Sequence, residues 1–104
     1  MSVLSITFHA IENIRPEWEN YMMNTLVLMV ENLMDVEKYI LSDVDSNMIN
    51  EGSNTNLLLI FENEELRSDF VKSEFLNLED RIQNEFGDQV MVFMTYLNPK
   101  KARL

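Results

Sequence analysis

An α+β fold, with two helices laid on one face of a four-stranded antiparallel sheet, is what this 104-residue sequence predicts, on three observations. Leu57-Leu58-Leu59-Ile60-Phe61 is an unbroken apolar run of strand length, so it offers side chains to both faces of a sheet and belongs near its middle. Three further stretches, Val3 to Ala10, Val36 to Asp43 and Val90 to Leu97, alternate with the period of two that a strand requires. Two long stretches, from Asn13 to Leu33 and from Asn63 to Phe86, instead repeat their apolar residues at helical spacing. The order is βαββαβ, which matches the ferredoxin-like split arrangement. The chain is one domain over 1–104 with 98–104 as a short tail, because a second core would lack material.

In the first strand Leu4, Ile6, Phe8 and Ala10 fall on one face, and Val3, Ser5, Thr7 and His9 on a mixed one. Asn13 is a candidate cap for the first helix, Pro16 is tolerated in its first turn, and Glu17 and Glu19 suit its positive end. Trp18, Met22, Leu26, Met29 and Leu33 form its stripe, widened by Tyr21 and Val30. Leu26 to Val30 is apolar all round and predicts cover on more than one side. The second strand has no fully apolar face and carries Lys38, both marks of a sheet edge. Val44 to Thr55 reads as a long polar hairpin leading into the central run.

Asn63 predicts the cap of the second helix, with Glu64 and Glu65 in its first turn. Its stripe is Leu66, Phe70, Val71, Phe75, Leu78, Ile82 and Phe86. The step from Phe70 to Phe75 is off period and predicts a bend at Lys72 to Glu74; Gly87 ends the helix. Arg67, Lys72 and Arg81 read as a solvated charged surface. In the last strand Val90, Val92, Met94 and Tyr96 face one way, and Met91, Phe93, Thr95 and Leu97 the other. Asn98-Pro99 closes it.

Two helices cover one face of four strands, while the third and fourth strands carry apolar residues on both. The uncovered patch predicts a homodimer, with Val90, Val92 and Met94 as the interface.

Charge excludes several functions. Eighteen acidic and eight basic residues give a net charge of -10, which repels nucleic acid and anionic membrane surfaces. With no cysteine there is no disulfide, thiolate metal site or thiol nucleophile. Met1 to Ser5 lacks the pattern of a signal peptide, so the expected location is cytoplasmic. Asp43-Val44-Asp45-Ser46-Asn47 begins like a calcium loop, but Met48 stands where glycine is needed and Asn54 where glutamate is needed, so no metal or other cofactor is expected. His9, the single histidine, is a candidate general base, and Tyr39 and Tyr96 are candidate ligand-binding hydroxyls.

Glu12 to Trp18 with its Pro-Glu-Trp helix start, the long hairpin, and Phe86-Gly87-Asp88 followed by Val90-Met91-Val92-Phe93-Met94-Thr95 resemble a small bacterial domain-of-unknown-function family of this length. Met94 departs from the resemblance, standing where relatives tend to carry an arginine. Members of that family are similar in shape to dimeric α+β barrel proteins, which include cofactor-free monooxygenases and small-molecule binders. Two functions are therefore expected: a homodimeric interaction or small-ligand-binding module, or, as the alternative, a cofactor-free enzyme acting on a small apolar substrate with His9 as base.

Overall fold

The computed structural model describes residues 1–45 and 51–104. Its sheet is built from β1 (Ser2–Ala10), β2 (Lys38–Asp43), β3 (Ser53–Phe61) and β4 (Val90–Leu97), in the spatial order β2-β3-β1-β4 and antiparallel throughout. This is the predicted ferredoxin-like arrangement, with the first and third strands at the centre. β3 starts four residues before the expected run. Ser53 to Asn56, read from the sequence as turn, pair with Thr7 to Ala10 of β1. The side chains of Asn54 and Asn56 bond across the ladder instead of breaking it, while the Ser53 and Thr55 hydroxyls are buried without a hydrogen-bond partner among the described residues. The tip of the hairpin and the middle of the calcium-like stretch fall on residues 46–50, outside the described residues.

The first helical layer runs from Arg15 to Glu31 as α1 (Arg15–Tyr21), a wide π-helical segment (Met22–Leu26) and α2 (Val27–Glu31). Trp18, Met22, Leu26 and Val30 are its buried residues, each four from the last. In a regular helix of 3.6 residues per turn, a strict spacing of four swings the stripe off the sheet by about 40° per step. The wide turn absorbs that drift and keeps all four on one face. Leu28 and Met23 are exposed on the other side, so the expected second cover for this half of the helix is not supplied within one chain.

The second layer is α3 (Glu64–Lys72) and α4 (Glu74–Phe86), broken at Ser73 where the off-period step predicted a bend. Asn63 caps α3, its side-chain oxygen accepting from the Leu66 amide at 2.9 Å. Gly87 ends α4 at φ +59°, a backbone conformation that other residues resist.

Both layers bury one side of the sheet. Leu4, Ile6, Phe8 and Ala10 of β1 and Leu57, Leu59 and Phe61 of β3 meet Trp18, Leu26, Phe75, Ile82 and Phe86 in one core. Trp18 is its hub, with ring centroids 5.3 Å from Phe8 and 5.5 Å from Phe86. Among the described residues no helix is long and apolar enough to cross a membrane.

Candidate functional site

Alternation along each strand sends every second side chain to the side without helices. The register brings Val3, Ser5, Thr7 and His9 of β1 beside Asn54, Asn56, Leu58 and Ile60 of β3. Lys38, Ile40 and Ser42 of β2 extend this face on one side, and Met91, Phe93, Thr95 and Leu97 of β4 on the other. Lys38, on an edge strand, is its single Lys, Arg, Asp or Glu, in a chain of which 25% is charged. Phe93 is 51% exposed and Met91 49%, while Val3 and Ile60 at the opposite end are already buried.

A polar strip crosses the middle. The Asn56 amide donates to Ser5 Oγ at 2.8 Å and to Thr7 Oγ1 at 3.2 Å. His9 Nδ1 lies 2.5 Å from Asn54 Oδ1. A carbonyl oxygen can only accept, so with the amide in this orientation Nδ1 is the donor. Gly52 sits behind the ring at φ +80°, where a Cβ would fall 2.2 Å from the Ala10 carbonyl oxygen and 3.1 Å from His9 Cε1. Only glycine lets the hairpin strand approach His9 this closely.

The expected site residues are divided between the two faces. His9 is on the open side, as its parity predicted. Tyr39 and Tyr96 project to the helix side, on the two outermost strands. The Tyr39 hydroxyl donates to Glu31 Oε1 at 2.9 Å, and that hydrogen bond raises its pKa above the ordinary 10.0, with burial and the carboxylate charge adding to it. Tyr96 lies under the Arg67 guanidinium, 4.9 Å from the ring centroid. His9 and the two candidate ligand-binding tyrosines therefore do not converge within one chain. The interface expectation needs a correction of one residue. Val90 is buried under the helices, and Val92 and Met94 pack against the same core, because their parity in β4 matches Phe8 and Ile6 across the ladder. The open side of β4 belongs to Met91, Phe93, Thr95 and Leu97.

Arg67 was misread from the sequence as solvated. It is only 7% exposed. Nη1 donates to the carbonyls of Val3 at 2.9 Å and Leu97 at 3.0 Å, and Nη2 to Asn98 Oδ1 at 2.9 Å. It ties the start of β1 to the end of β4. The available signal was its position three residues before Phe70, on the buried stripe of the helix.

Among the described residues no three His, Asp or Glu side chains gather into a group able to hold a metal ion.

Comparison with known proteins agrees with this geometry. The chain is similar in structure to a dimeric ferredoxin-like protein from an uncultured marine organism, at 9% identity and TM-score 0.68, covering 100% of this chain and 99% of that one. It is similar to HapK from Hahella chejuensis at 9% identity and TM-score 0.68, covering 100% and 97%. It is also similar to an ethyl tert-butyl ether d (EthD) family protein from Bacillus halodurans at 11% identity and TM-score 0.66, covering 91% and 97%. At such identities the likeness shows the fold alone. No curated protein is significantly similar in sequence. The model of the family described as Domain of unknown function (DUF4286) matches residues 1–100, and the chain belongs to that family.

Proposed function

We propose that the chain is a homodimeric interaction module in which two copies meet through the open faces of their sheets. One observation carries this reading: the open face exposes Ile40, Met91, Phe93 and Leu97 and holds a single charged side chain, at its edge. Loss of charge at the centre of a patch, with aromatic residues and methionine in its place, distinguishes interfaces from ordinary surface. Four strands about 4.8 Å apart and about eight residues long give a footprint of roughly 20 by 25 Å. Counting side-chain relief, that approaches the roughly 800 Å² per partner of a standard interface.

A second copy suits the face better than a different partner. The hydroxyls and amides of Ser5, Thr7, Asn54 and Asn56 both donate and accept, so the polar strip complements itself under a two-fold axis. The marine neighbour is a dimeric ferredoxin-like protein, which supports a homodimer. A cytoplasmic setting goes with this reading, since a chain without cysteine gains nothing from an oxidising compartment.

Sedimentation equilibrium tests the proposal. The wild-type chain is expected at twice its monomer mass, and Phe93→Glu, which puts a carboxylate from each copy into an apolar part of the interface, at the monomer mass with its circular dichroism unchanged. A wild-type monomer at about 100 µM, far above the concentration at which an interface of this size associates, would overturn it.

A further inference from the structure

The helix side of the sheet holds a second feature that the pairing of open faces does not use. The end of α2 and the loop that follows it stand apart from α3 and α4, leaving a half-open cleft of about 830 Å³ between them. Its accessible apolar lining includes Met29, Leu33 and Val36, partly buried side chains that pack on the core residues Leu57, Leu59, Phe70 and Leu78 beneath. Its volume falls in the range of sites that hold small molecules, typically about 300 to 1,000 Å³, and its lining mixes apolar and polar side chains.

The polar groups are placed by one helix. Asn77, Arg81 and Asn84 recur at the spacing of four and three that aligns side chains along α4, and all three line the cleft. Arg81 is the informative one. Its Nη1 donates to Met29 Sδ at 3.3 Å across the cleft from α4 to α2, and a thioether is a weak acceptor. Among the described residues no carboxylate lies within salt-bridge distance of it, although the chain carries eighteen. An oxygen entering the cleft would be a better partner than the sulfur. That oxygen should not carry a charge: Asp35, Glu74 and Asp80 stand around the same cleft, and the net charge of -10 repels any anion.

We propose that this cleft binds an uncharged, largely apolar small molecule whose carbonyl or ether oxygen accepts from Arg81, with its hydrocarbon body on the partly buried side chains of Met29, Leu33 and Val36. The site is complete within one chain, so it stands or falls separately from the pairing of the sheets.

The probe is prodan, a neutral naphthyl ketone whose emission shifts to the blue in an apolar site, with anilinonaphthalene sulfonate as an anionic dye of similar size. Prodan is expected to saturate one site per chain, with the sulfonate binding at least about tenfold more weakly. Arg81→Met should weaken prodan by about tenfold, the loss expected of a hydrogen bond from a charged donor. Asn77→Trp, at an exposed position on the cleft wall, should abolish binding by filling the space; if that variant fails to fold, Asn84→Trp gives the same readout from the other end. Phe93→Glu, on the opposite face, should leave prodan affinity unchanged. The proposal is overturned if prodan does not saturate, if either folded tryptophan variant binds like wild type, if the sulfonate binds more tightly, or if Phe93→Glu abolishes the signal and so moves the dye to the open face.

Discussion

The two faces of this sheet are made by the same four strands from alternate residues, yet they were built to different rules. On the helix side, Leu4, Ile6, Phe8, Leu57, Leu59 and Phe61 are buried to near zero exposure and share one core with two layers of helix. On the other side apolar ends flank a strip of hydroxyls, amides and one imidazole, with charge kept to the rim. The first face is finished within one chain. The second is finished only in its small central network, and the contrast separates what holds the fold together from what is available for recognition.

The sharpest way to break the first face is Trp18→Ala. Trp18 is fully buried and stacks at 5.9 Å on Tyr21 as well as touching Phe8 and Phe86, so its loss removes an aromatic body from three neighbours at once. Urea unfolding should report a loss of about 3 to 5 kcal/mol, enough to leave a domain of this size marginal. Next comes Arg67→Met, which keeps the aliphatic stem but strands the carbonyls of Val3 and Leu97 without their donor. About 2 to 3 kcal/mol should be lost, and Arg67→Lys should recover less than half, because an ammonium cannot reproduce the fork that spans β1, β4 and Asn98.

That second variant also marks where the sequence was legible and where it was not. The fold was legible because both of its periods were written plainly: Val3 to Ala10 and Val90 to Leu97 alternate, and Phe75, Leu78, Ile82 and Phe86 step with a helix. Even the break at Ser73 followed from one misplaced interval. Parity within β4 was legible as well, but which parity met the helices was not, since Val90, Val92 and Met94 are as apolar as Met91, Phe93 and Leu97. Only the ladder with β1 decides it, and that is a long-range property. Arg67 was missed for a related reason: a guanidinium is read as exposed by default, and the acceptors that make its burial tolerable are backbone carbonyls, which every residue has and no sequence displays. Ser53 to Asn56 reads as a turn because the side-chain partners of Asn54 and Asn56, namely His9, Ser5 and Thr7, lie more than forty residues away.

Neighbouring residues of β4 give the most direct contrast between the faces. Met94→Glu places a carboxylate among side chains packed on the core and should cost the chain about 2 kcal/mol of stability. Phe93→Glu, one residue earlier and half exposed, should change the stability of an isolated chain by less than about 1 kcal/mol. Measured at low protein concentration, where pairing contributes nothing, equal effects would erase the distinction between finished and unfinished faces.

The smallest expected effect tests the least covered part of the helix side, the β2 edge. Tyr39 is held there by its hydrogen bond to Glu31, and that bond raises the hydroxyl pKa above 10.0. A group whose pKa is higher in the folded state than in the unfolded chain binds its proton more tightly when folded, so it favours folding as long as the proton stays on. The contribution is therefore whole below pH 10.0 and is lost as pH rises through the raised folded-state value, where a tyrosinate would face the Glu31 carboxylate. Urea midpoints of wild type and Tyr39→Phe should run parallel from about pH 7 to about pH 9 and converge above about pH 10 as only the wild type loses ground. Midpoints that stay parallel through pH 11 would mean that solvent has already replaced the bond. The β2 edge would then owe its place to the ladder with β3 alone, and the two faces would differ less at that strand than at the other three.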